Sequence, residues 1–375
     1  MARPEQRAKT AILGRSALCL LLLAEMAQAA PRRAAGTRNL LVVMVDGVRW
    51  QEVFMGAEAA LMERRTGGVA DPHALRTQFW REDPAERRRA LMPFLWSVVA
   101  RQGQIFGNRA LAAEVYLTNG LNISYPSYSE TLCGVADPRV DSNDKKPNPN
   151  VNVLEWLNRQ PDFRGKVAAF AAWDRFPYIL NAERAGMLVN AGYEPLRVAP
   201  QTPALRLLNR LKSETEVWPA EPLDALTFHT ALEYFRLHRP RVLFLGLGEP
   251  DEWAHSGRYD LYLKSLLRAD HYVRELWELV QGTPGYRGAT ALVLATDHGR
   301  GESPENWREH GRRIPESRST WLAFLGPNIE ALGERKQREA LPQARVAATI
   351  AALLGLDFAG SVGAAAPPIP DLLAK

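Results

Sequence analysis

Only two cysteines, Cys19 and Cys133, occur in the 375 residues. A disulfide framework is therefore excluded, and the fold must be held by its core, which a chain of this length can bury without staples. Long apolar runs are missing too: none reaches the roughly 20 residues that a bilayer-spanning helix needs. Charge of one sign is scarce. Lys and Arg number 47 against 42 Asp and Glu, a net charge of +5. Two of those charges belong to the first 29 residues, where Arg3, Arg7, Lys9 and Arg15 face only Glu5 and Glu25. No clustered basic patch is left, which argues against a nucleic-acid-binding surface. With 46% hydrophobic and 24% charged residues, a disordered or fibrous chain is excluded as well. Histidine is sparse, at seven residues, so its positions are informative.

The N-terminus has the pattern of an export signal. Arg7, Lys9 and Arg15 are followed by the short apolar run Ala17–Ala24 and then by Ala27-Gln28-Ala29, a small-x-small cleavage pattern. Cleavage after Ala29 is expected, giving a signal peptide over 1–29, a periplasmic or secreted mature chain, and no stable membrane anchor. Cys19 leaves with the signal, and Cys133, in an apolar stretch, reads as a small buried residue.

Leu40–Val45, Val242–Leu247 and Ala291–Thr296 are near-continuous apolar runs, as expected of parallel strands covered on both faces. Val167–Ala172 and Thr320–Leu325 are further strand candidates. Helical periodicity marks Met92–Arg101, Pro203–Glu214, Leu223–His238, Tyr259–Gln281 and Pro342–Leu354. This alternation predicts an α/β fold with a largely parallel central sheet sandwiched by helices. Met55–Arg89, charged and irregular, and Ala136–Asn150, rich in Pro, Asn and Asp, read as loop or cap material.

Each of the three strongest strands runs into an acid. Asp46 follows the first, Asp251 follows the second after Gly248-Glu249-Pro250, and Asp297 follows the third. Ligands of open α/β sheets bind at the carboxyl ends of the strands. Three acids gathered there repel one another unless a cation lies among them. Histidines accompany two of them, as Asp251-x-x-x-His255 and Asp297-His298, and His310 lies in Glu309-His310-Gly311. Carboxylate and imidazole together suit zinc or a similar transition metal. Taken singly, an Asp at a strand end caps a helix and an Asp-x-x-x-His is a solvated helix face. The ordered set carries the inference. His73, His229, His238 and His271 lack such a setting, and Asp260 and Asp270 fall inside a helical pattern as solvated or capping groups.

Asn122-Ile-Ser124-Tyr-Pro126-Ser127-Tyr128-Ser129 precedes Gly134 and reads as a helix opened at Pro126. Ser124 just before its N-terminus would sit where N–H groups favour an anion, and a metal can make its hydroxyl reactive at neutral pH. Ser124, Ser127 and Ser129 are all plausible helix caps; the metal set is what favours Ser124 as nucleophile.

The set Asp46, Ser124, Asp251-x-x-x-His255, Asp297-His298, His310 resembles the alkaline phosphatase superfamily. The branch it resembles most contains nucleotide pyrophosphatase/phosphodiesterases and phosphoglycerate mutase-like metalloenzymes. The resemblance runs from about Asn39 to Pro327. It implies one alkaline-phosphatase-like catalytic domain over 30–375 with insertions near 55–89 and 136–199. It also implies two divalent metal ions, zinc or alternatively manganese. Asp46, Asp297, His298 and the Ser124 oxygen would hold one, and Asp251, His255 and His310 the other. Ser124-Tyr125-Pro126 matches the family's nucleophile segment. Phosphodiesterase-like members add an Asn that donates to a phosphoryl oxygen; Asn143 lies at a similar distance after the nucleophile, with Asn148, Asn150 and Asn152 as rivals. The activity implied is hydrolysis of small-molecule phosphate mono- or diesters through a phosphoseryl intermediate. The alternatives are a sulfatase with Ser124 converted to formylglycine and a non-catalytic metal-binding homologue. Against the sulfatase signature Cys/Ser-x-Pro-x-Arg, the Arg position holds Tyr128, and Gly47 stands where sulfatases pair a second acid with the first.

Overall fold

The computed structural model describes residues 36–337 and 339–373; the export signal expected at 1–29 lies outside the described residues. Eleven strands occur among the described residues: β1 (Asn39–Val45), β2 (Gln104–Phe106), β3 (Val115–Tyr116), β4 (Val167–Ala171), β5 (Leu188–Ala191), β6 (Val242–Leu247), β7 (Thr290–Ala295), β8 (Ser319–Thr320), β9 (Leu322–Leu325), β10 (Gly333–Glu334) and β11 (Leu341–Pro342). Helices of six or more residues are α1 (Trp50–Met55), α2 (Pro72–Phe79), α3 (Pro84–Leu91), α4 (Ser124–Cys133), α5 (Val153–Arg159), α6 (Pro203–Glu214), α7 (Asp224–His238), α8 (Glu249–His255), α9 (Tyr259–Gly282) and α10 (Arg345–Leu353). None is long and apolar enough to cross a membrane.

Eight strands form one sheet in the order β10-β2-β9-β7-β1-β6-β4-β5, and β11-β3-β8 form a small second sheet. In the large sheet β5, β4, β6, β1 and β7 run parallel, while β9 is antiparallel to both β7 and β2. The strand period of two sends Leu41, Val43 and Val45 of β1 into one apolar core and Leu40, Val42 and Met44 into another. The first core includes α9 residues Tyr262, Leu266, Ala269, Val273 and Leu276, spaced three and four apart. The second includes Leu132 of α4, Leu154 of α5 and Ile350 of α10. Burial on both faces explains why these strands read as unbroken apolar runs.

The expected elements appear with adjusted boundaries. Thr320–Leu325 is not one strand. It divides at Trp321 into β8 and β9, which serve different sheets. The helix expected from 92 runs over 93–102 with a π-helical stretch at Leu95–Val99, and the helix expected from 342 starts three residues later, at Arg345, because Leu341–Pro342 belongs to β11. The Met55–Arg89 segment is less irregular than its composition suggests. Asp71 and Asp83 cap α2 and α3, each with Pro at the helix start. The span 136–199 contributes β4 and β5 to the main sheet as well as loops.

Register positions the chemistry. Val45 pairs with Leu247, and Met44 with Ala295. The three central strands therefore finish side by side, and neighbours in a sheet lie about 4.8 Å apart. Asp46, Gly248 and Thr296-Asp297 emerge along one rim.

Candidate active site

The rim gathers all the acids and histidines of the expected set. His298 is fully buried. Its Nδ1 lies 2.9 Å from the Gly299 carbonyl and donates to it. Its Nε2 lone pair is thereby left facing Ser124 Oγ at 3.3 Å, Asp46 Oδ1 at 3.5 Å and Asp297 Oδ2 at 3.4 Å. His310 is held the same way, its Nδ1 donating to the Asn122 carbonyl at 3.0 Å. Its Nε2 then faces His255 Nε2 at 3.1 Å, and His255 Nε2 lies 3.1 Å from Asp251 Oδ2.

The two expected ligand groups are not cleanly separate. Asp251, His255 and His310 converge in one place, but Asp251 also converges with Asp46 and His298, with ligand atoms within 4.8 Å of one another. Asp251 faces both clusters, and Asp297 Oδ2 lies 3.4 Å from the same His298 Nε2.

A metal fits these residues on three observations. Asp46 Oδ1 and Asp297 Oδ2 are buried without any hydrogen-bond partner, which is costly for anionic oxygens with nothing positive nearby. The facing Nε2 atoms of His255 and His310 want a cation between them. Finally, burial and mutual repulsion disfavour the charged forms of these groups in the absence of a cation. Burial, then the neighbouring acids Asp297 and Asp251, pushes Asp46 well above the usual carboxylate range. Burial pushes Asp297 up to about 8. Burial holds His298 well below an ordinary histidine and brings His310 down to about 4. Neutral imidazoles beside electrostatically frustrated carboxylates make a donor set for a divalent cation.

Ser124 is the first residue of α4, not the residue before it; Ile123 takes the cap position. The anion-favouring terminus is also narrower than expected. Pro126 has no N–H, and the Tyr125 N–H donates to Asn143 Oδ1 at 2.9 Å, leaving the Ser124 N–H. The other serines point elsewhere. Ser127 and Ser129 are buried inside the molecule, Ser127 accepting from Asn119 and Ser129 bonding Cys133 and Asn148. Burial lifts the Cys133 thiol to about 12, consistent with an inert residue.

The bond from Tyr125 places Asn143 beside the nucleophile and leaves its Nδ2 without a partner among the described residues. The three rivals are committed to structure: Asn148 bonds Ser129 and the Ile179 carbonyl, Asn150 bonds Asp137, and Asn152 caps α5. Tyr128 donates its hydroxyl to Asp46 Oδ2 at 3.2 Å. Gly47, at φ +64°, donates to Asp297 Oδ1 at 3.0 Å, and a Cβ there would overlap Asp251 Oδ1.

One residue was not anticipated. Arg300 is 1% exposed. It pairs with Asp251 and donates to the Gly47 carbonyl at 3.1 Å and to the Arg308 carbonyl. Burial raises Asp251, but the Arg300 guanidinium and then His255 outweigh it and hold this acid well below the usual range. Its sequence signal is an arginine directly after the Asp297-His298-Gly299 turn. Asp270 is neither solvated nor a ligand: it is buried in α9 and accepts the Phe94 and Leu95 N–H groups at 2.7 and 2.8 Å.

Solved structures share this fold at low sequence identity. Wild-type alkaline phosphatase PafA is 11% identical with a TM-score of 0.57, covering 92% of this chain and 100% of that one. The lipoteichoic acid synthase LtaP of Listeria monocytogenes is 11% identical with a TM-score of 0.54, covering 87% of this chain and 74% of that one. A sulfatase-like protein of Bacteroides thetaiotaomicron is 12% identical with a TM-score of 0.53, covering 88% and 75%. No curated protein matches the chain. With a rim that carries candidate metal ligands, the chain has the alkaline-phosphatase-like fold class. Within it, residues 60–351 match the type I phosphodiesterase / nucleotide pyrophosphatase model, and the chain belongs to that family. It is a hydrolase of phosphoric esters. The matched span begins after Asp46, so β1 and its terminal acid enter the site through the sheet register.

Proposed function

We propose that this protein is an exported two-metal hydrolase of small phosphate mono- or diesters that works through a phosphoseryl intermediate on Ser124. The observation that carries it is the seat of the Ser124 hydroxyl, 3.3 Å from the His298 Nε2 lone pair, among carboxylate oxygens that have no other partner. Asp46, Asp297, His298 and Ser124 would hold one divalent ion, and Asp251, His255 and His310 the other, with zinc preferred by the mixed nitrogen and oxygen donors. When bound, such ions lower the pKa of a hydroxyl or water and neutralise phosphoryl oxygens.

The chain's own residues account for the rest. Ser124 Oγ bonds to phosphorus while the ester oxygen opposite leaves with its alcohol. Water then cleaves the serine–phosphorus ester and regenerates Ser124. Asn143, oriented by the Tyr125 N–H, offers Nδ2 to a phosphoryl oxygen, and the Ser124 N–H offers a second donor. Tyr128 orients Asp46. Arg300 fixes Asp251. Export rests on the basic, apolar and small-x-small pattern of residues 7–29.

A sulfatase using formylglycine at residue 124 is disfavoured. Tyr128 fills the arginine position with an aromatic ring whose hydroxyl is already bound to Asp46. A phosphate monoester also carries two negative charges near neutral pH against one for a sulfate, and a two-cation site favours the former. The test is turnover of aryl phosphate mono- and diesters against aryl sulfate, with mass spectrometry of the Ser124 peptide after acid quench. Turnover of the phosphates and a phosphoserine mass are expected. A formylglycine mass, or sulfate turnover exceeding phosphate turnover, overturns the proposal.

A further inference from the structure

A polar pocket of about 370 Å³ opens between the loop that leads into Ser124 and the loop that follows His310. Tyr116, Thr118, Asn122, Arg312 and Arg318 line it. This volume falls in the range of small-ligand sites.

The pocket wall is continuous with the catalytic rim. The Asn122 carbonyl accepts from His310 Nδ1 at 3.0 Å. Asn122 stands two residues before Ser124, a chain distance of at most ~7 Å. The wall is also built rather than loose. Glu130 of α4 accepts from the Thr118 N–H and hydroxyl and from the Asn119 N–H, which pins this loop to the nucleophile helix.

Two arginines and an uncommitted amide line the pocket. Arg312 makes no ion pair or hydrogen bond among the described residues. Arg318 is oriented by Glu114 at 3.1 Å and lies 5.3 Å over the Tyr116 ring. Asn122 is 4% exposed, its Oδ1 is buried without a partner, and its backbone is held at φ +51°. Its Nδ2 likewise makes no hydrogen bond among the described residues, and two arginines line the same pocket. Residues 311–318 contain three arginines and one acid, Glu316. The phosphoryl group under attack belongs at Ser124, so this pocket meets the remainder of the ester.

We propose that this pocket receives a second anionic group, a carboxylate, phosphate or sulfate, carried on the organic part of the phosphate ester. Arg312 and Arg318 supply the charge and Asn122 supplies a directed hydrogen bond. The natural substrate is then a phosphate ester with two separated anionic ends. This inference rests on the phosphoesterase reading of Ser124.

The experiment measures binding without turnover. The metal-loaded protein is titrated calorimetrically with phenylphosphonate, with its meta- and para-carboxy derivatives, and with 3-carboxypropylphosphonate. At least one carboxylated probe is expected to bind about tenfold more tightly than phenylphosphonate. Arg312→Ala, at an exposed position, should bring that ratio close to one, Arg312→Glu should invert it, and phenylphosphonate affinity should be unchanged in both. A wild-type ratio near one for every probe, or a ratio that survives Arg312→Ala, overturns the pocket assignment while leaving the phosphoesterase reading intact. If phenylphosphonate itself fails to bind the metal-loaded protein, the reading of the Ser124 site falls and the inference with it.

Discussion

The imidazoles of His298 and His310 stack face to face, with ring centroids 3.9 Å apart and planes 11° from parallel. Both donate Nδ1 to a backbone carbonyl, so both present Nε2 to the rim. The stack couples the two ligand clusters: the ring that faces Ser124 is packed against the ring that faces His255. His310 also disfavours protonation of His298, in addition to the larger effect of burial.

His310 comes from a loop, and its loss should cost ligand geometry rather than core. We expect His310→Ala to abolish activity and to lower bound metal from about two ions per chain toward one. Its far-ultraviolet dichroism should match wild type, with any loss of melting temperature removed by chelating metal from both proteins. Elemental analysis and melting curves decide this. An unfolded His310→Ala protein would make His310 structural.

Arg300 neutralises Asp251 from within the protein. Removing one partner of a buried pair costs about 3–5 kcal/mol. Arg300→Met should therefore lower the melting temperature sharply in chelated protein, and less when metal is present to compensate the Asp251 carboxylate. Arg300→Lys should keep more stability than Arg300→Met in both conditions. Equal losses with and without metal would show that Arg300 acts on the fold alone.

Asn143→Ala removes both the acceptor for the Tyr125 N–H and the free Nδ2 at the nucleophile. A lost transition-state donor costs on the order of a hundredfold in kcat. We expect a loss of that order with metal content unchanged, while Asn150→Ala leaves kcat near wild type. Comparable losses in both would move the phosphoryl-contacting role away from Asn143.

Asp270 gives a pH signature remote from the chemistry. Burial lifts it to about 7, against about 3.9 in an unfolded chain. The folded state thus binds this proton more tightly, so its contribution to stability is complete below about pH 4 and is lost as pH rises through 7. Asp270→Asn stays neutral throughout. The melting temperature of wild type relative to the variant should rise as pH falls from 8 to 5. A flat difference across that range would show that the two N–H bonds from Phe94 and Leu95 cancel the burial cost.

The central strands were readable because burial on both faces leaves a continuous apolar signature, and the acids at their ends follow from that reading. Legibility fell wherever partners come from distant chain. Nothing local distinguishes Asn143 from Asn148, Asn150 and Asn152; they separate only once α4, α5 and the 179 carbonyl are in place. Arg300 is an ordinary arginine until Asp251 arrives 49 residues away in sequence. The division at Trp321 depends on which sheet claims each half. That Asp251 also faces the Asp46 and His298 cluster was not legible either, because only the register of β6 against β1 reveals it.

The alignment of β6, β1 and β7 at one rim has a consequence for how this enzyme fails. Its acids hang from three neighbouring inner strands, each flanked by hydrogen-bonded neighbours, so fraying at the surface leaves the acid cluster in place. Dispersal of the acids and cooperative melting should therefore coincide. Arg312 and Arg318 reach the outer pocket from side chains that hold none of the rim acids or histidines, so they can change without disturbing the reaction centre, and change in substrate range and persistence of chemistry are mechanically separable at those positions.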